Sequence, residues 1–188
     1  MPQPVRLPFA VIALRGLLAA SLIVLAAAVR IAPHPWNFTP IGAMALFSGA
    51  IFRDRRFAFL FPLVALFAGD LFVGPHCLMP VVYASFLIEI FIGTWLQGRR
   101  SVPRIGLAVS LGALQFFLIT NFAAWRIFDT YPQTPAGLFS CYVAGLPLFG
   151  NTLAGDAIYT ALLFGLFALG ERYFPALRAP SAAAAIQG

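Results

Sequence analysis

Asp70-Leu71-Phe72-Val73-Gly74-Pro75-His76-Cys77-Leu78-Met79-Pro80-Val81-Val82-Tyr83 marks the place where one apolar segment ends, a turn collects polar atoms and the next apolar segment begins. Gly74-Pro75 breaks a helix, so Asp70 falls in the last helical turn before the break. His76 and Cys77 follow on the turn as the one adjacent pair of soft-metal ligands in the chain. A carboxylate, an imidazole and a thiol within a few residues read as the mouth of a binding site. The alternative is that His76 and Cys77 are ordinary residues of an interfacial loop.

The composition on either side of this turn sets the class. Hydrophobic residues make up 61% of the 188-residue chain and charged residues 10%, and the mean hydropathy is +0.91. This describes an all-α integral membrane protein in a single domain, residues 1–188. The net charge of +6 would point to nucleic acid in a soluble chain. Here all twelve basic residues are Arg and most lie in short gaps between apolar runs, where they act as topology signals; no nucleic-acid partner is expected. Two cysteines without a C-x-x-C pair give neither a disulfide framework nor a zinc knuckle, and no P-loop, G-x-S-x-G or H-E-x-x-H is present. A soluble-type enzyme or an ATPase is thereby disfavoured.

Six transmembrane helices are expected at about residues 8–29, 41–52, 57–73, 78–96, 105–125 and 152–169, each judged against a hydrocarbon core of roughly 30 Å. A short apolar segment, residues 136–150, is expected to be kinked or re-entrant at Pro147. The first run also resembles a secretory signal ending at Ala26-Ala27-Ala28, but Arg15 interrupts it, which favours a retained helix. The second is short and rich in small residues. Its Ala45 and Gly49 share a face, as do Ala65 and Gly69 on the third, a spacing that serves either internal packing or a partner helix.

Arg6, Arg53, Arg55, Arg56, Arg99, Arg100, Arg104, Arg172 and Arg178 fall on one side of this arrangement, and Arg30 and Arg126 on the other. The positive-inside rule then puts both termini in the cytoplasm, with the protein in the bacterial cytoplasmic (inner) membrane. On the outer side it gathers His34, Trp36, Asn37, His76, Cys77, Asp129 and Tyr131, with Cys141 placed there as well. Three prolines stiffen the loop that holds His34, Trp36 and Asn37, so it reads as a lid or as an interfacial anchor. Asp70 and Asp156 are placed near the outer ends of their helices; such residues usually face a cavity or a partner, because a charge in the hydrocarbon is costly. Glu89 is expected at the depth of Arg15, as its partner in a buried ion pair.

Arg30-Ile-x-Pro-His-Pro-x-Asn-Phe-Thr-Pro-Ile-Gly-Ala-Met-Ala-Leu-Phe47, followed by Asp70, His76, Met79, Val82-Tyr83-x-Ser-Phe86, Thr120-Asn121-Phe122, Cys141-Tyr142 and Asn151-Thr-x-x-Gly-Asp156, resembles the substrate-binding S components of energy-coupling factor (ECF) transporters. It is most similar to the BtuM-type vitamin B12 group, over about residues 30–164. The resemblance implies a six-helix bundle that takes a vitamin into a pocket open to the outside. It also implies a partnership with an ECF coupling subunit and ATPases, or solitary function. Cobalamin is then the expected ligand, with no intrinsic cofactor, and transport rather than an enzymatic activity is the expected role.

Cys77 becomes a candidate ligand for the cobalt of the bound corrinoid, since that metal takes a soft thiolate or an imidazole. His76 could favour the thiolate. Asp70, Tyr83, Asn121 and Asp156 could hydrogen-bond the ring's amides, and Trp36, Trp125 or Tyr142 could pack on its faces. His34 and Asn37 complete the candidate set. A disulfide between Cys77 and Cys141 is the competing account of the thiols. Three other readings remain: a membrane-embedded enzyme using Asp70, His76 and Asp156, an S component for a different vitamin, and a structural or assembly subunit whose small-residue faces pack against a larger complex.

Overall fold

The computed structural model describes residues 9–29 and 35–174. These form an all-helical bundle: α1 (Phe9–Val29), α2 (Ile41–Ile51), α3 (Arg55–Val73), α4 (Met79–Thr94), α5 (Val102–Ile127) and α6 (Pro135–Tyr173). His34 and the tail beyond residue 174 lie outside the described residues.

The bundle is built around α2. This helix has 11 residues and every side chain from Ile41 to Ala50 is buried; it touches all five other helices. Small residues make this possible. A Cβ on Gly49 would run into the Ile90 carbonyl oxygen and lie 3.0 Å from the Thr94 nitrogen, while one on Gly93 would meet the Leu46 carbonyl and lie 3.0 Å from Leu46 Cα. The backbones of α2 and α4 therefore touch through a reciprocal pair of glycines, and Gly49 serves internal packing rather than a partner. Ser48 Oγ donates to the Ala58 carbonyl (2.7 Å) and ties α2 to α3. Gln97 Nε2 donates to the carbonyls of Gly49 (2.8 Å) and Phe52 (3.1 Å), satisfying groups that the end of a helix leaves open.

Around this hub the outer helices turn apolar side chains outward, such as Leu17 and Val24 on α1, Val64 on α3, Phe91 on α4 and Phe139 on α6, all more than half exposed except where they pack on neighbours. A soluble protein rarely exposes a continuous apolar belt of this kind, and a bilayer supplies the missing solvent. Three helices, α1, α5 and α6, have the length and composition to cross a membrane. The protein is a helical membrane protein.

Two features depart from the sequence expectation. Residues 136–150 are not a separate kinked or re-entrant segment: they run without a break into α6, which has 39 residues and contains Pro147. Proline removes one backbone hydrogen bond and bends a helix, but without competing water one lost bond does not end it. At about 1.5 Å per residue α6 is about 58 Å long, against about 39 Å for the 26 residues of α5. Its first half packs along α5, where Cys141 and Gly145 are buried. Secondly, Arg15 does not pair with Glu89. It forms an ion pair with Glu171 on α6 (2.6 Å), which Arg100 also approaches (3.5 Å), and both guanidinium groups lie over the Phe167 ring, at 5.4 and 5.6 Å.

These contacts bring together the start of α1, the segment between α4 and α5, and the end of α6; the Gln97 bonds add the end of α2. The described arginines of the connections, apart from Arg126, thus gather at one end. At the opposite end lie the 35–40 turn, the 74–78 turn and the 128–134 connection.

Candidate ligand-binding site

At this arginine-poor end a cavity of about 230 Å³ opens between the 35–40 turn, the start of α4, the second half of α5 and the middle of α6. The turn supplies Asn37. Its φ of 62° lies in the left-handed region, which asparagine tolerates better than most residues. The turn is pinned on both sides: Asn151 Nδ2 donates to the Trp36 carbonyl (3.0 Å), and the Phe38 ring packs 5.7 Å from that of Tyr159. Asn37 is thus held over the cavity by contacts with α6.

One face of α5 forms the long wall, with Phe116, Phe117, Thr120, Asn121 and Ala124 at spacings of three and four residues. Leu78 and Val82 of α4 close one side, and Leu148, Phe149 and Thr152 of α6 the other. Asn121 is fixed on both sides. Its Nδ2 donates to the Phe117 carbonyl (2.9 Å), and its Oδ1 packs against Gly145 so closely that a Cβ there would lie 3.0 Å from Asn121 Cγ. None of the described lining residues is charged.

Of the residues singled out from sequence, Asn37 and Asn121 line the cavity. Cys77 and His76 are exposed on the 74–78 turn, next in sequence to the lining residue Leu78. Trp36 is 84% exposed beside Asn37. Tyr83 is half-buried against the core. Tyr142 sits behind the wall, its hydroxyl donating to the Leu118 carbonyl (2.9 Å) and its ring 5.5 Å from Phe117. Trp125 fastens the α5–α6 connection, with Nε1 donating to the Pro132 carbonyl (2.9 Å).

The two membrane acids point elsewhere. Asp70 is buried at the end of α3. Asp156 is buried inside the bundle against Gly42, where a Cβ would lie 2.8 Å from its Cγ, and it accepts the backbone N–H of Ala43 in the first turn of α2. It therefore accepts at the start of the central helix, where the first N–H groups have no partner within the helix, and does not line the cavity. Glu89 is also buried, against Gly112. Asp156 is thus outside the lining of this cavity, and the expected partner of Arg15, Glu89, is replaced by Glu171.

Cys77 and Cys141 are free thiols, the first exposed and the second buried; Cys141 donates weakly to the Asn121 carbonyl (3.5 Å). Among the described residues no three His, Cys, Asp or Glu side chains converge as a metal site. The lining residues not picked out from sequence as contacts are Leu78, Val82, Phe116, Phe117, Thr120, Ala124, Leu148, Phe149 and Thr152, and they carry one weak signal: Phe116, Thr120 and Ala124 recur at the period of a single helix face.

No curated protein and no solved structure matches the chain. A family model described as a family of unknown function, DUF6580, matches residues 12–177, and the chain belongs to that family.

Proposed function

We propose that this protein is the substrate-binding membrane subunit of a vitamin uptake system, of the ECF S-component type, with cobalamin or a related corrinoid as its cargo. One observation carries the proposal: an uncharged cavity, roofed by a pinned turn, lies at the end of the bundle opposite the arginine clusters. If the positive-inside rule orients the chain, that end faces outward, both termini are cytoplasmic and the six helices cross or enter the bacterial cytoplasmic membrane. The small-molecule site then meets ligand arriving from outside. Coupling to a transport module, or solitary transport, would act at the opposite end.

The size of the cavity places a demand on the corrinoid assignment. A space of about 230 Å³ is below the range of about 300–1,000 Å³ that encloses drug-sized ligands, so a macrocycle would lie across the mouth with only part of it entering. Exposed residues within two positions of the lining include Trp36, His76 and Cys77. A thiolate from Cys77 would then reach cobalt from the turn, a role for which a soft sulfur ligand is suited. The membrane-enzyme reading has less behind it, since Asp156 packs on the start of α2 while His76 is exposed on the 74–78 turn.

The test is to add aquocobalamin to the purified protein and record its mass in the native state and its visible spectrum. A one-to-one complex is expected, with a sulfur-to-cobalt band that Cys77→Ser abolishes and Cys141→Ser retains. Binding with identical spectra in wild type and Cys77→Ser would remove the cobalt-ligand role; no complex at all would remove the corrinoid.

A further inference from the structure

The cavity itself has a chemistry that constrains what enters it. Three phenyl rings, Phe116, Phe117 and Phe149, form part of its apolar surface beside Leu78, Val82, Ala124 and Leu148, with Phe117 and Phe149 centroids 5.0 Å apart and inclined at 44°. The polar groups are two hydroxyls and two amides, and the hydroxyls already have their protons engaged. Thr120 Oγ1 donates to the Phe116 carbonyl (2.7 Å) and Thr152 Oγ1 donates to the Leu148 carbonyl (3.0 Å). Each hydroxyl oxygen therefore faces a ligand as an acceptor. Asn121 has one N–H engaged with the Phe117 carbonyl and a second to offer, and the Asn37 amide offers both a carbonyl and N–H groups.

Charge complementarity is missing in either sense. An anion or cation transferred into this space would leave water without meeting an opposite charge, which is strongly unfavourable. Size sets the other bound, since a dry cavity of about 150 Å³ holds a benzene ring. A volume of about 230 Å³ suits one ring or two fused rings.

We infer that this cavity takes a neutral, planar heterocycle of one or two fused rings that bears N–H donors and a carbonyl or amide acceptor, held between Phe116, Phe117 and Phe149 and hydrogen-bonded by Thr120, Thr152, Asn121 and Asn37. The inference rests on the cavity being the ligand site, and it applies equally to a free heterocycle and to the part of a larger ligand that enters. The ring faces supply stacking surface. The threonine oxygens select N–H groups, and the amides select the carbonyl.

Calorimetric titration of the full-length protein in detergent with three probes tests this. Indole-3-carboxamide is neutral and planar, indole-3-carboxylate is its anion-bearing counterpart, and decalin-2-carboxamide is neutral but not flat. The carboxamide of indole should bind about tenfold or more tighter than either of the others, which corresponds to one uncompensated polar or stacking contact. Combining Thr120→Val with Thr152→Val, which keeps the shape of the wall, should weaken it about tenfold. Ala124→Trp, which fills the cavity, should abolish it. If the carboxylate or the decalin compound binds as well as the indole carboxamide, in a manner blocked by Ala124→Trp, the ligand site stands and the neutral-planar assignment falls. If no probe binds, or binding survives Ala124→Trp, the cavity is not the ligand site and both fall.

Discussion

Replacing Gly93 by alanine adds one methyl group where α4 crosses α2. That methyl meets the Leu46 carbonyl oxygen, with the Leu46 Cα and C atoms each 3.0 Å away. All three atoms are backbone, and they belong to a helix enclosed by five others, so neither a rotamer change nor a retreat of α2 relieves the overlap. Overpacking of this kind costs about 1–3 kcal/mol, and a backbone clash belongs at the upper end. Alanine recovers about 1 kcal/mol over glycine in helix propensity. The net expectation is a loss of about 2 kcal/mol for Gly93→Ala, and a similar loss for Gly49→Ala, whose methyl meets the Ile90 carbonyl and the Thr94 nitrogen. Because the two methyls force the same pair of helices apart, the double variant should lose less than the sum. Gly106→Ala and Gly165→Ala serve as controls, since nothing lies within 4 Å of either added Cβ; they should be neutral or gain up to about 1 kcal/mol. Equilibrium unfolding of the detergent-solubilised protein reads all five. Gly93→Ala as stable as Gly165→Ala would refute the backbone contact between α2 and α4, and with it the central position of α2.

Two further outcomes are expected. Arg15→Gln and Glu171→Gln should each lower stability by about 1.5–3 kcal/mol, as befits a charge-assisted bond between groups 14% and 21% exposed, and their double variant should show coupling; Arg15→Gln and Glu89→Gln should simply add, and a strong coupling between those two would restore the pairing that the structure does not contain. Cys77, exposed on the 74–78 turn, should react with a membrane-impermeant maleimide added to intact cells, whereas Cys introduced by Arg55→Cys or Arg99→Cys should react only after lysis, the reverse pattern inverting the topology.

The sequence makes the helices legible and conceals how they pack. Apolar runs between arginine-bearing gaps locate the first five within a few residues, because hydropathy reports directly on lipid exposure, whereas the sixth is expected from residue 152 and begins at Pro135. Pro147 misleads for a physical reason: a residue that ends helices in water only bends one surrounded by apolar neighbours. Arg15 misleads differently. Depth in the bilayer made Glu89 a plausible partner, but an ion pair needs two helices side by side, and only the packing of α1 against α6 reveals Glu171.

The candidate site shows the same division. Asn37 stands out on a loop stiffened by prolines, and Asn121 because a polar side chain in an apolar run asks for an explanation. Phe116, Thr120 and Ala124 do not, because their spacing recurs along any membrane helix. Asp156 in an apolar helix asks for a partner, and the one it has is the first turn of α2, made reachable by the missing side chain at Gly42. No periodicity in α6 alone could have shown it.

The claim on which the account turns is that the space bounded by Asn37, Asn121, Phe149 and Ala124 holds a small molecule. Native mass spectrometry of freshly purified protein measures this without prior choice of ligand. The account predicts that wild type carries a non-covalent small-molecule adduct, or acquires one from a cell extract, and that Ala124→Trp, folded as judged by its unfolding midpoint, carries none. An adduct of the same mass and occupancy on both proteins, or on neither, would contradict it.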